Sequence, residues 1–191
     1  MLTMVKSSLM DEVQDALKGT AAATLAAYDQ NTGDYLESTN GDIWKGSYNI
    51  SKSESLVDRI KENTGMDVTF FYGNKRIMTS ALDKKGNRIL GSEAGERVVN
   101  QVIKGKKPFF STNVSLDGTR NYGYFIPVYQ NGTTDQVIGM VFVGTNKARK
   151  DAIVNKILGS IMMALLVVML LFQVLLFLQF QAVSYTHLTL P

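Results

Sequence analysis

The chain has 191 residues, 45% hydrophobic and 19% charged, which is enough to bury the core of one domain plus an appendage and excludes a disordered protein. It contains no cysteine, which rules out disulfides and thiolate metal sites, and its one histidine, His187, has no partner for a zinc or catalytic constellation. The net charge is only +3 and Lys/Arg are interleaved with Asp/Glu, the pattern of a solvated surface rather than of a nucleic-acid interface.

Leu2 to Leu9 is a short, mixed stretch with Lys6 inside it, so no cleavable signal peptide is read at the start. The chain goes straight into a helical pattern, and an upstream membrane segment is expected to precede it. Leu9, Val13, Leu17, Ala21, Leu25 and Tyr28 recur at spacings of three and four, with Asp11, Glu12, Gln14, Asp15 and Lys18 between them. This predicts an amphipathic stalk helix over residues 1–28. Small residues from Gly19 to Ala23 permit close approach of another helix or sheet, and such a stalk is also a route to a homodimer.

Residues 29–51 hold the turn-forming clusters Asn31-Thr32-Gly33-Asp34 and Asn40-Gly41-Asp42 and are expected to form a loop. Ser53, Glu54, Leu56, Val57 and Ile60, closed by Thr64-Gly65, predict a short second helix. From Asp67 the period changes to two. Val68–Tyr72, Lys75–Ser80, Phe109–Ser115, Asn121–Tyr129 and Gln136–Gly144 predict five mostly antiparallel strands, separated by Gly73-Asn74, Asp117-Gly118 and Asn131-Gly132 turns. Between the second and third strands, Asp83–Gly91 reads as a loop and Glu93–Lys104 as a short helix.

No Lys, Arg, Asp or Glu occurs after Lys156. Leu158–Phe180 is long enough to cross a bilayer, since about 20 helical residues span the roughly 30 Å hydrocarbon core. Lys147, Arg149, Lys150 and Lys156 crowd the end of this helix that joins the domain. With the domain outside, they run against the positive-inside bias, and an upstream membrane helix is expected to set the orientation.

Gly65–Phe71, Arg76–Ser80, Gly86–Gly91, Tyr122–Val128 and Ile138–Gly144, in that order and followed at once by the membrane helix, resemble the extracytoplasmic Cache superfamily of PAS-like sensor domains. The match is to the single Cache type of bacterial methyl-accepting chemotaxis proteins. The resemblance implies an α+β, PAS-like (Cache) fold with a long N-terminal helix, a five-stranded mostly antiparallel sheet and a C-terminal transmembrane helix. It implies a sensor domain at 29–146, a juxtamembrane helix at 147–157, a transmembrane helix at 158–180 and a missing downstream signalling domain. Residues 183–191, Val183 to Pro191, resemble translated sequencing-library adapter and are expected to be non-native.

A sheet covered by helices on one face leaves the other, with the loop after the second strand, to enclose a cavity. Arg76 and Arg88 are candidate clamps for an anionic ligand, because a guanidinium binds a carboxylate through two parallel hydrogen bonds. Thr79 and Ser80 add hydroxyl donors, and Tyr122 and Tyr124, two apart on one strand face, offer apolar walls with polar tips. Phe110 on the third strand completes the candidate lining. The expected partners are a small organic acid or similar metabolite, a second copy of the chain and the lipid bilayer. With no Gly-rich phosphate loop and no nucleophile elbow, no catalytic residue, cofactor or metal is expected. The alternatives are the sensor of a histidine kinase or diguanylate cyclase, a membrane-bound enzyme, or an adhesion module with an exposed apolar patch.

Overall fold

Val13, Leu17, Ala21 and Tyr28 form the buried stripe of helix α1 (Leu2–Asp29) in the computed structural model, which describes residues 2–188 and the side-chain surroundings of residues 3–181. Residues 189–191 of the expected non-native stretch lie outside the described residues, as do the side chains from residue 182 onward, His187 included. Thr24 falls within the α1 stripe, and its hydroxyl donates to the Thr20 carbonyl at 2.8 Å, so its burial leaves no polar atom unsatisfied.

The stretch 29–51, expected as a loop, instead contains a small antiparallel sheet of β1 (Tyr35–Glu37), β2 (Ile43–Lys45) and β3 (Tyr48–Asn49). Its strands are two or three residues long, too short to display a period of two. The sheet is pinned by a residue far along the chain: the Gln130 side chain accepts from the Tyr35 amide at 2.7 Å and donates to the Tyr35 carbonyl at 3.0 Å. A 3-10 turn, Ile50–Lys52, then leads into α2 (Glu54–Thr64). Gly65 ends α2 in the left-handed conformation (φ 68°), its amide bonding the Lys61 carbonyl at 2.7 Å.

The main sheet comprises β4 (Asp67–Tyr72), β5 (Lys75–Thr79), β6 (Phe109–Leu116), β7 (Thr119–Tyr129) and β8 (Val137–Asn146), in the order β5-β4-β8-β7-β6 with every pairing antiparallel. The α+β fold class and five strands expected from the sequence are therefore present. Alternation along the strands divides the core in two. Val68, Phe70, Tyr122, Tyr124, Val128, Val141 and Val143 join the α1 and α2 side chains. Phe71, Phe125, Met140 and Phe142 belong to the other face, which Val102 covers from a one-turn helix α3 (Glu96–Val98) continued as a π-helical turn (Val99–Lys104).

Strand β8 passes directly into α4 (Lys147–Leu188). Val154 is the last buried side chain of α4 among the described residues, and beyond it the helix exposes Met162 to Phe180. Its stretch Lys147–Gln181 is the one helix among the described residues that is long and apolar enough to cross a membrane.

The closest backbone approach in the sheet is at Gly139, where an added Cβ would lie 2.0 Å from the Phe71 carbonyl oxygen. Alanine there must push β8 away from β4, and overpacking of this kind costs about 1–3 kcal/mol. Gly139→Ala is expected to lower the unfolding free energy of the α+β domain by that amount, and with it the denaturation midpoint, without changing the helical content of α4, read by circular dichroism in detergent. An unchanged midpoint contradicts the tight β4–β8 contact.

Candidate ligand-binding site

A register shift in the β4–β5 hairpin decides what the domain presents on its second face. Phe70 pairs with Met78 and Phe71 with Arg76, so Ile77 is one extra residue on β5. Such a bulge re-aims the side chains that precede it. Met78 and Ile77 pack with the α1-side core, whereas Arg76 turns with Phe71 to the opposite face. There it lines a cleft of about 430 Å³.

The floor of this cleft is aromatic. Phe125 and Phe142 have centroids 4.7 Å apart, and the Phe142 ring lies over the Gly123–Gly144 pair, where an added Cβ would come within 2.5 Å of it. One wall is β6 from Phe109 to Ser115, including a second bulge between Ser111 and Val114 that leaves Thr112 and Asn113 exposed at the edge. The other comes from Glu93 to Val98, with Arg97 stacked over Phe109 at 5.3 Å.

Arg76 is only 8% exposed, and no carboxylate pairs with it among the described residues. Its guanidinium sits 5.3 Å over the Phe71 ring, reaches the Ile89 carbonyl at a long 3.4 Å, and leaves Nε buried without a partner. Burial lowers its pKa, opposed in part by Asp67. A buried cation with unused donors beside an aromatic floor is an anion-binding arrangement.

The sequence model for the single Cache domain 3 family matches residues 48–157, more than half of the chain. The chain belongs to the single Cache domain 3 family. No curated protein sequence matches it significantly. Among solved structures, an extracellular ligand-binding receptor from Desulfohalobium retbaense aligns over 80% of this chain and 25% of its own, with a TM-score of 0.55 at 15% identity. The ligand-binding domain of the Campylobacter jejuni chemoreceptor Tlp3, described in complex with L-valine, aligns over 80% of this chain and 60% of its own (TM-score 0.54, 12% identity). The same sensory domain with isoleucine bound gives 0.54 at 13% identity and the same coverage. The chain thus spans a quarter of the first relative and about 60% of the Tlp3 domains, and at these identities the likeness is one of fold.

Within this Cache domain the seven residues singled out from the sequence do not converge. Arg76 and Phe110 line the cleft, although the Phe110 ring stacks on Tyr122 with centroids 6.3 Å apart. Tyr122 and Tyr124 share a strand face, as their spacing requires, but it is the face packed with the α1-side core. The Thr79 hydroxyl bonds Thr69 at 2.7 Å, and Ser80 accepts from the Val68 amide at 2.9 Å, both closing the β4–β5 end. Arg88 forms a two-pronged pair with Asp58 on α2, at 2.8 and 2.6 Å, and donates to the Thr79 carbonyl at 2.8 Å. The residues that sequence reasoning missed are Phe71, Arg97, Phe125, Phe142 and the Ser111–Ser115 edge. The only signal for the aromatics was their alternation, which does not tell one sheet face from the other.

The hydrogen bonds from Arg88 hold the Asp58 carboxyl below its usual range. A depressed carboxylate pKa contributes stability that is complete above the unfolded value, near pH 4, and is lost as the pH falls through the folded value. Asp58 is 42% exposed, so screening limits the pair to about 1 kcal/mol. Asp58→Asn is expected to melt below the wild type at neutral pH, with the difference closing in strong acid. A gap that stays constant with pH removes this pair from the stability profile.

Proposed function

We propose that this chain is the extracytoplasmic sensing and membrane-spanning region of a chemoreceptor of the methyl-accepting type, and that it binds a small organic anion in the Arg76 cleft. The observation that carries the reading is the buried Arg76 guanidinium, which forms no salt bridge among the described residues and leaves Nε without a partner over an aromatic floor. An incoming carboxylate supplies the missing acceptors, and its apolar remainder packs on Phe71, Phe125 and Phe142. Organic acids and amino acids both meet this description. Tlp3, described with L-valine and with isoleucine, favours ligands of that size. The domain acts by binding and not by catalysis.

Transmission runs through the junction of β8 and α4, where no loop intervenes to absorb motion. The junction is fastened to β7: Lys147 donates to the Tyr122 hydroxyl at 2.8 Å, and that hydroxyl donates in turn to Asp151 on the next turn of α4. Burial and the bond to Asp151 raise the Tyr122 pKa, and the bond to Tyr122 raises that of Lys147. A ligand that draws β6 and the Glu93–Val98 wall together moves Phe110, which stacks on Tyr122, and so reaches α4. It shifts α4 by its differential affinity for the two positions, about 1–3 kcal/mol for ordinary coupling. We place the α4 span at 158–180 in the bilayer, the second copy of a homodimer along the exposed face of α1, and a signalling domain beyond α4 to receive the motion.

Two measurements test this. The chain, expressed with an export signal, is expected to fractionate with membranes and to resist alkaline extraction; soluble recovery of the intact chain sinks the anchor. In detergent, calorimetric titration with a panel of small acids and amino acids is expected to find a ligand whose affinity falls about tenfold or more in Arg76→Met, the loss of one charge-assisted contact. The same substitution is expected to leave thermal stability unchanged or higher, because it removes an unpaired buried cation. A ligand bound equally well by both proteins takes Arg76 out of the site.

A further inference from the structure

The pole from which α4 leaves the domain gathers cations that the ligand cleft does not use. Lys84, Lys85, Arg120, Arg149, Lys150 and Lys156 are exposed or half-exposed there, and none is ion-paired among the described residues. Three separate segments bring them together. Asn121 pairs with Asn146, so the β6–β7 hairpin runs on past the point where β8 gives way to α4 and carries Arg120 with it. The Lys84 amide donates to the Asp117 carboxylate at the tip of that hairpin at 3.0 Å, which fixes the Lys84-Lys85 loop beside it. Arg149 follows on α4, its guanidinium at the end of α2 beside Gly65.

The carboxylates on these three segments are hydrogen-bonded, though not buried. Asp83 accepts from the amides of Lys85 and Asn87, both at 2.8 Å, Asp117 from the Lys84 amide, Asp67 from Lys61 at 2.7 Å, and Asp151 from Tyr122. Lys84, Lys85, Arg120, Arg149, Lys150 and Lys156 outnumber Asp83, Asp117 and Asp151 on these segments, so their excess charge is positive. At 1.5 Å per residue, Lys156 stands about 3 Å and Lys150 about 12 Å before Leu158. The head-group layer is roughly 5–8 Å deep on each side of the hydrocarbon core, so Lys156 stands within it and Lys150 above it, with the rest of the pole farther out.

We propose that the Lys84-Lys85 loop, the Arg120 hairpin and the Arg149–Lys156 turns of α4 form one docking surface for anionic phospholipid head groups, seating the sensor domain against the membrane. The inference rests on α4 crossing the bilayer, as proposed above, and holds for either leaflet. Lys156 is held at the surface by the helix itself; Arg149, Lys150, Lys84, Lys85 and Arg120 reach it only if the domain tilts down onto it. A docked domain restricts the tilt of β8 relative to α4, so the lipid composition sets the background against which a ligand acts.

The absence of cysteine makes a single Thr119→Cys a unique labelling site on the exposed hairpin. The full chain carrying a fluorophore there is reconstituted in vesicles of phosphatidylcholine with or without about a third phosphatidylglycerol, each doped with a head-group nitroxide quencher. Quenching is expected to be strong in the anionic vesicles, weak in the neutral ones, and reversed by added salt. Lys84→Glu/Lys85→Glu is expected to shift the docked fraction by roughly an order of magnitude, with the glutamine pair intermediate. Equal quenching in both vesicle types, or no effect of salt and charge reversal, overturns the docking surface. So does release by inorganic phosphate where sodium chloride of equal ionic strength is without effect, which makes the surface a phosphate site. A chain that floats apart from the vesicles overturns the membrane anchor, a failure distinct from the loss of quenching in a chain that co-floats.

Discussion

A five-stranded sheet must bury both of its faces, and the alternation of its side chains divides the labour between them. On one face Val68, Phe70, Tyr124, Val141 and Val143 lock the sheet to α1 and α2. On the other, Phe71, Phe125 and Phe142 are buried beneath the short α3, its π-helical continuation and β6, and the cleft opens beside them. The Gly123–Gly144 pair belongs to this division. By leaving room for the Phe142 ring to lie flat over the strands, the two glycines give the cleft a floor rather than a filled core.

Into that apolar face the Ile77 bulge inserts one charge. An arginine held out of water without a counter-ion is costly to the free protein, and the lowered pKa of Arg76 expresses the same desolvation. The cation over Phe71 and the long contact to Ile89 recover part of that cost. The remainder favours any state in which an anion fills the cleft. Arg88 shows the contrast: a similar side chain that found Asp58 and became a brace between α2 and the loop after β5.

The opposite face carries the connection outward. Tyr122 touches Phe110 at the cleft edge on one side and Lys147 and Asp151 on the other, so one side chain joins the ligand wall to the first turns of α4. Tyr122, expected from the sequence to hold ligand, thus bridges β7 and α4 in the structure. Thr79 and Ser80 likewise close the sheet at the end where α2 and α4 meet it.

The sequence by itself determined the helices, the five strands and the long apolar helix, because each depends on local periodicity, on turn chemistry or on the length of an uncharged run. Gly65 closing α2 and the shift to a period of two at Asp67 were legible for that reason. It did not determine the β1–β3 sheet, whose strands are too short to show a period and which is held by Gln130 from far along the chain. Nor did it determine the membership of the cleft. A period-two pattern names the residues that share a face but not which face meets α1, and a single bulge reverses the assignment for everything before it. Arg76, Arg88, Tyr122 and Tyr124 were all candidates in the sequence, the arginines as anion clamps and the tyrosines as walls. Tertiary structure separated them by supplying Asp58 to Arg88, Asp151 to Tyr122 and the α1-side core to Tyr124, and no salt bridge to Arg76 among the described residues.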